Sequence, residues 1–110
     1  MEIVLGNIFI RQGIIDKRGE KVEGHTHKFD HVTYINRGTA RITRTSPEGE
    51  TKSKVIRSTD PYNYVLILKT HTHVIEALKD NTVYHCVYAH REPDTGEVTV
   101  EYNGWDDAYQ

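Results

Sequence analysis

Along the chain, apolar and polar residues alternate at every second position, and no long stretch carries the three-to-four-residue spacing of an amphipathic helix. Successive side chains of a strand project to opposite faces, so this pattern predicts half-buried β-strands. The predicted strands are Ile3 to Ile10, Val22 to His27, His31 to Asn36, Ala40 to Thr45, Lys52 to Ser58, Tyr64 to Leu68, His73 to Leu78, Thr82 to Ala89 and Glu97 to Tyr102. Turn-forming sequences separate them: Asp16-Lys17-Arg18-Gly19, Asn36-Arg37-Gly38, Ser46-Pro47-Glu48-Gly49, Asp60-Pro61, Lys79-Asp80-Asn81 and Glu92-Pro93-Asp94-Thr95-Gly96. Most neighbours in sequence should therefore pair as antiparallel hairpins. Eight or nine short strands at this spacing predict an all-β sandwich or barrel, which protects the edges that an open sheet leaves unpaired.

A chain of 110 residues is expected to hold one core, because two would each be too small to stand alone. That single domain is expected to comprise a barrel over about residues 3–102 and a tail, 103–110. The tail region, which includes Trp105 and Tyr109, reads as a segment packing one aromatic ring on the barrel. Hydrophobic residues make up 36% of the chain and charged residues 27%, which suits a thin core with wet faces.

The formal net charge of -2 supplies no basic field for a phosphate backbone, so nucleic acid is not an expected partner. Cys86 is the only cysteine, which excludes an intramolecular disulfide framework. Met1 to Ile10 has no basic leader pattern and no apolar run is long enough to cross a bilayer, so a soluble, cytoplasmic protein without membrane partners is expected.

Histidine changes the picture. Five of the seven fall in two short stretches, as His25, His27, His31, His71 and His73. His25 and His27 are two apart on one predicted strand and share a face, His31 keeps that parity beyond a bend at Lys28 to Asp30, and His71-Thr72-His73 repeats the spacing elsewhere. Divalent transition metals take three or four such nitrogens at about 2.1 Å, gathered on a β-scaffold from several strands. Either pair alone is equally well explained as histidines on a wet sheet face.

The residues around the first pair decide between these readings. Gly19 to Gly38 resembles the first cupin motif, G-x5-H-x-H-x3-E-x6-G, with every spacing in agreement and His31 standing where the family usually has glutamate. The second motif, G-x5-P-x-G-x2-H-x3-N, retains only its histidine at His73; Tyr62, Leu68, Thr70 and Ala77 occupy its other positions, and His71 is the alternative in the histidine slot. The resemblance implies a cupin-type antiparallel jelly-roll β-barrel holding one divalent ion of iron, manganese, nickel, zinc or copper. It implies ligation by His25, His27 and His73, with His31 as the fourth ligand.

Among the other residues, Tyr84, Cys86 and Tyr88 share one face of a predicted strand. Facing inward, Tyr84 and Tyr88 would be catalytic proton donors beside the metal; facing outward, they would pack the outer layer. His85 takes the opposite face, Cys86 reads as a small buried hydrophobe, and Arg91 as part of a solvated loop. Asp30 and Glu76 adjoin the histidines and are available as hydrogen-bond acceptors or a base.

The resemblance implies a metal-dependent enzyme acting on a small molecule, dioxygenase-like or a lyase or isomerase of an acidic metabolite. Two other expectations stand beside it: a non-catalytic module that binds or senses a small ligand, and a metal-free sugar-nucleotide isomerase. Homodimerisation through an edge strand or the aromatic tail suits a barrel this small, although no residue pattern demands it.

Overall fold

The computed structural model describes residues 1–24, 29–92 and 94–98. Among the described residues there are nine strands: β1 (Glu2–Leu5), β2 (Ile8–Ile15), β3 (Lys21–Glu23), β4 (His31–Arg37), β5 (Thr39–Thr45), β6 (Thr51–Arg57), β7 (Tyr64–Ile67), β8 (Thr72–Ala77) and β9 (Thr82–Ala89). They form a five-stranded sheet in the order β1-β2-β9-β4-β7 and a four-stranded sheet in the order β3-β8-β5-β6. Every pairing is antiparallel. Strands consecutive in sequence often lie in different sheets, which is the jelly-roll pattern. No helix occurs among the described residues, and none is long and apolar enough to cross a membrane; this says nothing of membrane-spanning strands.

The predicted strands agree with the observed ones from β4 to β9, and the first is corrected. Ile3 to Ile10 is two strands, β1 and β2, folded back at Gly6-Asn7 so that Ile3 pairs with Ile10 and Leu5 with Ile8. β2 then runs on to Ile15 along β9, a strand that the sequence reading did not contain. The predicted strand Val22 to His27 is observed as β3, and its last three residues lie outside the described set. Of Glu97 to Tyr102 only the first two residues are described, with Val98 bridging to Arg91. The tail 103–110 also lies outside the described residues.

The core fills the space between the sheets. Ile35, Ile56, Ile67 and Ile75 are its largest buried side chains, joined by Ile15, Ile42, Ala40, Ala77 and Tyr84. β4 shows how the sequence specifies this: His31, Thr33 and Ile35 are buried while Val32 and Tyr34 are not. Full burial of an isoleucine contributes on the order of 1.5–3 kcal/mol, so the alternation fixes which face of each strand turns inward.

Three hydrogen bonds donated by backbone amides gather the loops at one end of the barrel. The Gly24 N–H donates to the His73 carbonyl at 2.7 Å, fastening the end of β3 to the start of β8. The Lys69 N–H donates to Asp30 Oδ1 at 2.8 Å, joining the approach to β4 to the loop after β7. The His71 N–H donates to the Leu68 carbonyl at 3.0 Å and closes the turn that leads into β8. His31 and His73 are thereby brought to the same end of the barrel, next to where the chain leaves Gly24.

Candidate functional site

At that end a cavity of about 110 Å³ opens between the sheets, its polar lining supplied by Arg11, Glu23, His31, His73, Tyr84, Cys86 and Tyr88. His73 continues the inward register of Ile75 and Ala77 on β8, and His31 that of Thr33 and Ile35 on β4. Both imidazoles are buried, and their ring centroids are 5.3 Å apart in an edge-on arrangement. An ion about 2.1 Å from one nitrogen of each ring would lie roughly 3.2 Å from each centroid, separating the centroids by about 4.5–5.2 Å at right to tetrahedral angles. The observed centroid spacing is close to that range.

His25 and His27 lie outside the described residues. Among the described residues, no three His, Cys, Asp or Glu side chains are arranged to hold a metal together. His71 is turned elsewhere: its Nδ1 meets Thr70 Oγ1 at 3.1 Å, and it lines a separate hollow with Arg44, Ser46, Glu50 and Lys52. Of the pair His71 and His73, only His73 faces the cavity.

Tyr84, Cys86 and Tyr88 point inward. Phe9 stacks on Tyr88 with ring centroids 4.7 Å apart, and Phe29 packs against it at 4.5 Å. Arg91 lies over the other ring of that group, 4.5 Å from the Phe29 centroid, and donates to the Gly96 carbonyl at 3.2 Å, so it braces an aromatic cluster. This corrects its reading as part of an ordinary solvated loop. Tyr84 crosses β2 at Gly13, where a Cβ would overlap its phenol ring.

Burial, reinforced by the Cys86 sulfur and partly offset by Arg11, holds the Tyr84 phenol above its ordinary pKa. Burial raises Tyr88 in the same sense, with Glu2 adding to it. Burial also raises the Cys86 thiol, against a hydrogen bond with Thr33 Oγ1 at 3.4 Å. At neutral pH all three are therefore protonated, and the phenols are available as hydrogen-bond donors.

The remaining sequence-selected residues play structural parts. His85 faces away from the cavity and bonds to Asn36 Oδ1. Glu76 pairs with Arg41 at 2.9 Å on the surface. Asp30 accepts a hydrogen bond from the Lys69 amide. Arg11, by contrast, was not selected from sequence, because β2 was not recognised. Once Gly6-Asn7 is read as a turn, Phe9, Arg11, Gly13 and Ile15 fall on one face opposite Tyr88, Cys86, Tyr84 and Thr82.

The strand order and the histidine-bearing end together define a cupin-type jelly-roll barrel, as the Gly19 to Gly38 resemblance implied. Oxalate decarboxylases are among the solved structures with a similar fold. The formate complex of the Lactobacillus farciminis enzyme superposes with a TM-score of 0.65 at 25% identity, covering 81% of this chain and 25% of that one. A variant of the Bacillus subtilis enzyme gives 0.66 at 21% identity, covering 86% and 22%. The chain thus spans about a quarter of the length of these proteins. No protein-family model matches the sequence, and no curated protein does.

Proposed function

We propose that this protein is a metal-dependent cupin that acts on a small carboxylic acid. The observation that carries the reading is the convergence of two buried histidines, two protonated phenols and a guanidinium on one cavity. His73 and His31 would hold one divalent iron, manganese, nickel, zinc or copper ion, with His25 and His27 completing the set. Bound there, the ion supplies Lewis-acid or redox chemistry to a coordinated carboxylate.

The chain's own residues supply the rest. Arg11 at the cavity wall attracts and orients an anionic group, and the Tyr84 and Tyr88 hydroxyls donate hydrogen bonds to oxygen on the substrate or deliver a proton to a developing carbanion. Phe9 and Phe29 pack against Tyr88 and hold its ring in place. This set favours lyase or isomerase chemistry on an acid over the dioxygenase-like alternative, since it provides a carboxylate anchor and proton donors. The named activity of the similar oxalate decarboxylases points in the same direction.

The test is elemental analysis of the purified protein, alone and as His27→Ala and His73→Ala, followed by turnover of a panel of small carboxylic acids. We expect about one ion per chain in the parent, a large loss in both variants, and a raised KM in Arg11→Gln with metal retained. A parent without metal, or variants that keep it fully, would refute the metal reading. Metal without turnover of any acid would leave the sensing module as the better account.

Two copies of the chain are proposed to pair through the outer face of the five-stranded sheet. There Ile3, Ile10, Val87, Val32 and Leu66 form an unbroken cross-strand row through all five strands. Leu66 is 50% exposed and Ile14, further along the same face, 60%. Five strands about 4.8 Å apart and six residues deep give roughly 450 Å² of planar footprint, more as corrugated surface. A stable dimer uses about 600–800 Å² per partner, so a second copy of this face is an occupant of suitable size.

A further inference from the structure

A second cavity, of about 380 Å³, lies along the seam where β6 and β7, the edge strands of the two sheets, face each other. Its floor is apolar, formed by Ile42, Val65 and Ile67. Its rim is cationic. Ile42 is buried in the core, and Arg44 is two residues further along β5, so both project toward the barrel interior. Across the ladder Lys54 pairs with Ile42 and Lys52 with Arg44, which turns both lysines to the same side. On both strands the inward face therefore changes from apolar to cationic at the same end: Ala40, Ile42, then Arg44 on β5, and Ile56, Lys54, then Lys52 on β6.

Like charges directly opposed across a ladder destabilise a sheet. Among the described residues, no carboxylate lines this cavity. Among the described residues the ion pair Arg41–Glu76 lies on the opposite face of β5, and no hydrogen bond engages the Arg44, Lys52 or Lys54 side chains. The adjoining smaller hollow adds His71 and a single carboxylate, Glu50. Three cations thus converge on an apolar cleft in a chain whose formal net charge is -2. Cavities of a few hundred cubic ångströms with an apolar lining and a few convergent charges have the build of small-molecule sites.

We infer that the β6–β7 seam is a second ligand site, distinct from the histidine cavity, for an organic acid with an apolar body. The acid group is held by Arg44 and Lys52, Lys54 adds to the field, and the body lies on Ile42, Val65 and Ile67. The inference stands on the seam alone and does not depend on the metal reading.

Titration calorimetry with octanoate, octanol, acetate and inorganic phosphate tests it. Octanoate is expected to bind, with acetate and phosphate each at least about tenfold weaker for want of an apolar body, and octanol likewise for want of charge. The pair of substitutions Arg44→Gln and Lys52→Gln should weaken octanoate at least about tenfold while circular dichroism shows the parent's fold. Ile42→Val, which keeps the fold but trims the floor, should weaken octanoate and leave phosphate unaffected. His73→Ala, in the other cavity, should bind octanoate as the parent does. The inference is overturned if octanoate does not bind, if phosphate or octanol binds equally well, or if the folded double variant retains the parent's affinity. Loss of octanoate binding in a folded His73→Ala variant would assign it to the histidine cavity and overturn the inference too.

Discussion

Replacing Gly24 by alanine adds one methyl group at the tightest junction in the candidate site. A Cβ there would overlap the His73 carbonyl oxygen and come within 2.9 Å of His73 Cε1 and 3.0 Å of Nδ1. Backbone cannot swing aside as a flexible side chain can, so β3 and β8 must part by roughly the 1 Å that restores an ordinary carbon–oxygen contact of about 3.3 Å or more. The Gly24 N–H to His73 carbonyl bond of 2.7 Å is then lost or stretched. That costs about 1 kcal/mol, and overpacking about 1–3 kcal/mol more. Reduced freedom of the unfolded chain returns about 0.4–1 kcal/mol. The net destabilisation is about 1–3 kcal/mol, which for a domain of this size lowers Tm by roughly 4–12 °C. Since Gly24 leads directly into His25, the same displacement should lower metal content. Thermal melts by circular dichroism and elemental analysis measure both. An alanine variant that melts with the parent and carries the same metal would refute the claim that this close approach builds the site.

The Cys86 thiol, raised by burial above its ordinary value of 9.0, should be protonated in the fold where it is already ionised in the unfolded chain. Stability from this group is complete below pH 9 and declines as pH rises through the higher folded value, so Cys86→Ser should flatten the alkaline limb of the stability curve. An unchanged limb in a folded variant would contradict that assignment. Leu66→Lys places a charge at the end of the apolar cross-strand row and should shift the protein from dimer to monomer by light scattering, with little change in Tm measured at low concentration. A parent that is monomeric at every concentration would refute the pairing.

Where one face of a strand is apolar and the other polar, the sequence was sufficient. β5 and β8 were legible because Ile42 and Ile75 are flanked by Arg41, Thr43, Val74 and Glu76 in a clear two-residue rhythm. β1 and β2 were not, because Ile3, Leu5, Ile8, Ile10 and Ile14 place apolar residues on the outer face as well, which erases the rhythm and hides the turn at Gly6-Asn7. The same ambiguity left Tyr84, Cys86 and Tyr88 undecided, since Val83 and Val87 alternate with them. Arg11 went unnoticed for the same reason. Parity does not separate His73 from His71, since both share it with buried Ile75 and Ala77; the resemblance to the second motif alone favoured His73. The cationic seam was beyond reach: Lys52 and Lys54 are exposed lysines, and only the ladder register sets them opposite Arg44 and Ile42.

The phenol of Tyr84 occupies the space that a side chain at position 13 would need. The bottom of the histidine cavity is therefore shaped by an atom that the neighbouring strand lacks. Any larger residue at 13 would drive the ring up into the open volume and shorten the cavity from beneath. Variation at a position with no functional group could in this way select shorter or longer guests while the imidazoles, the phenols and the guanidinium all keep their identities.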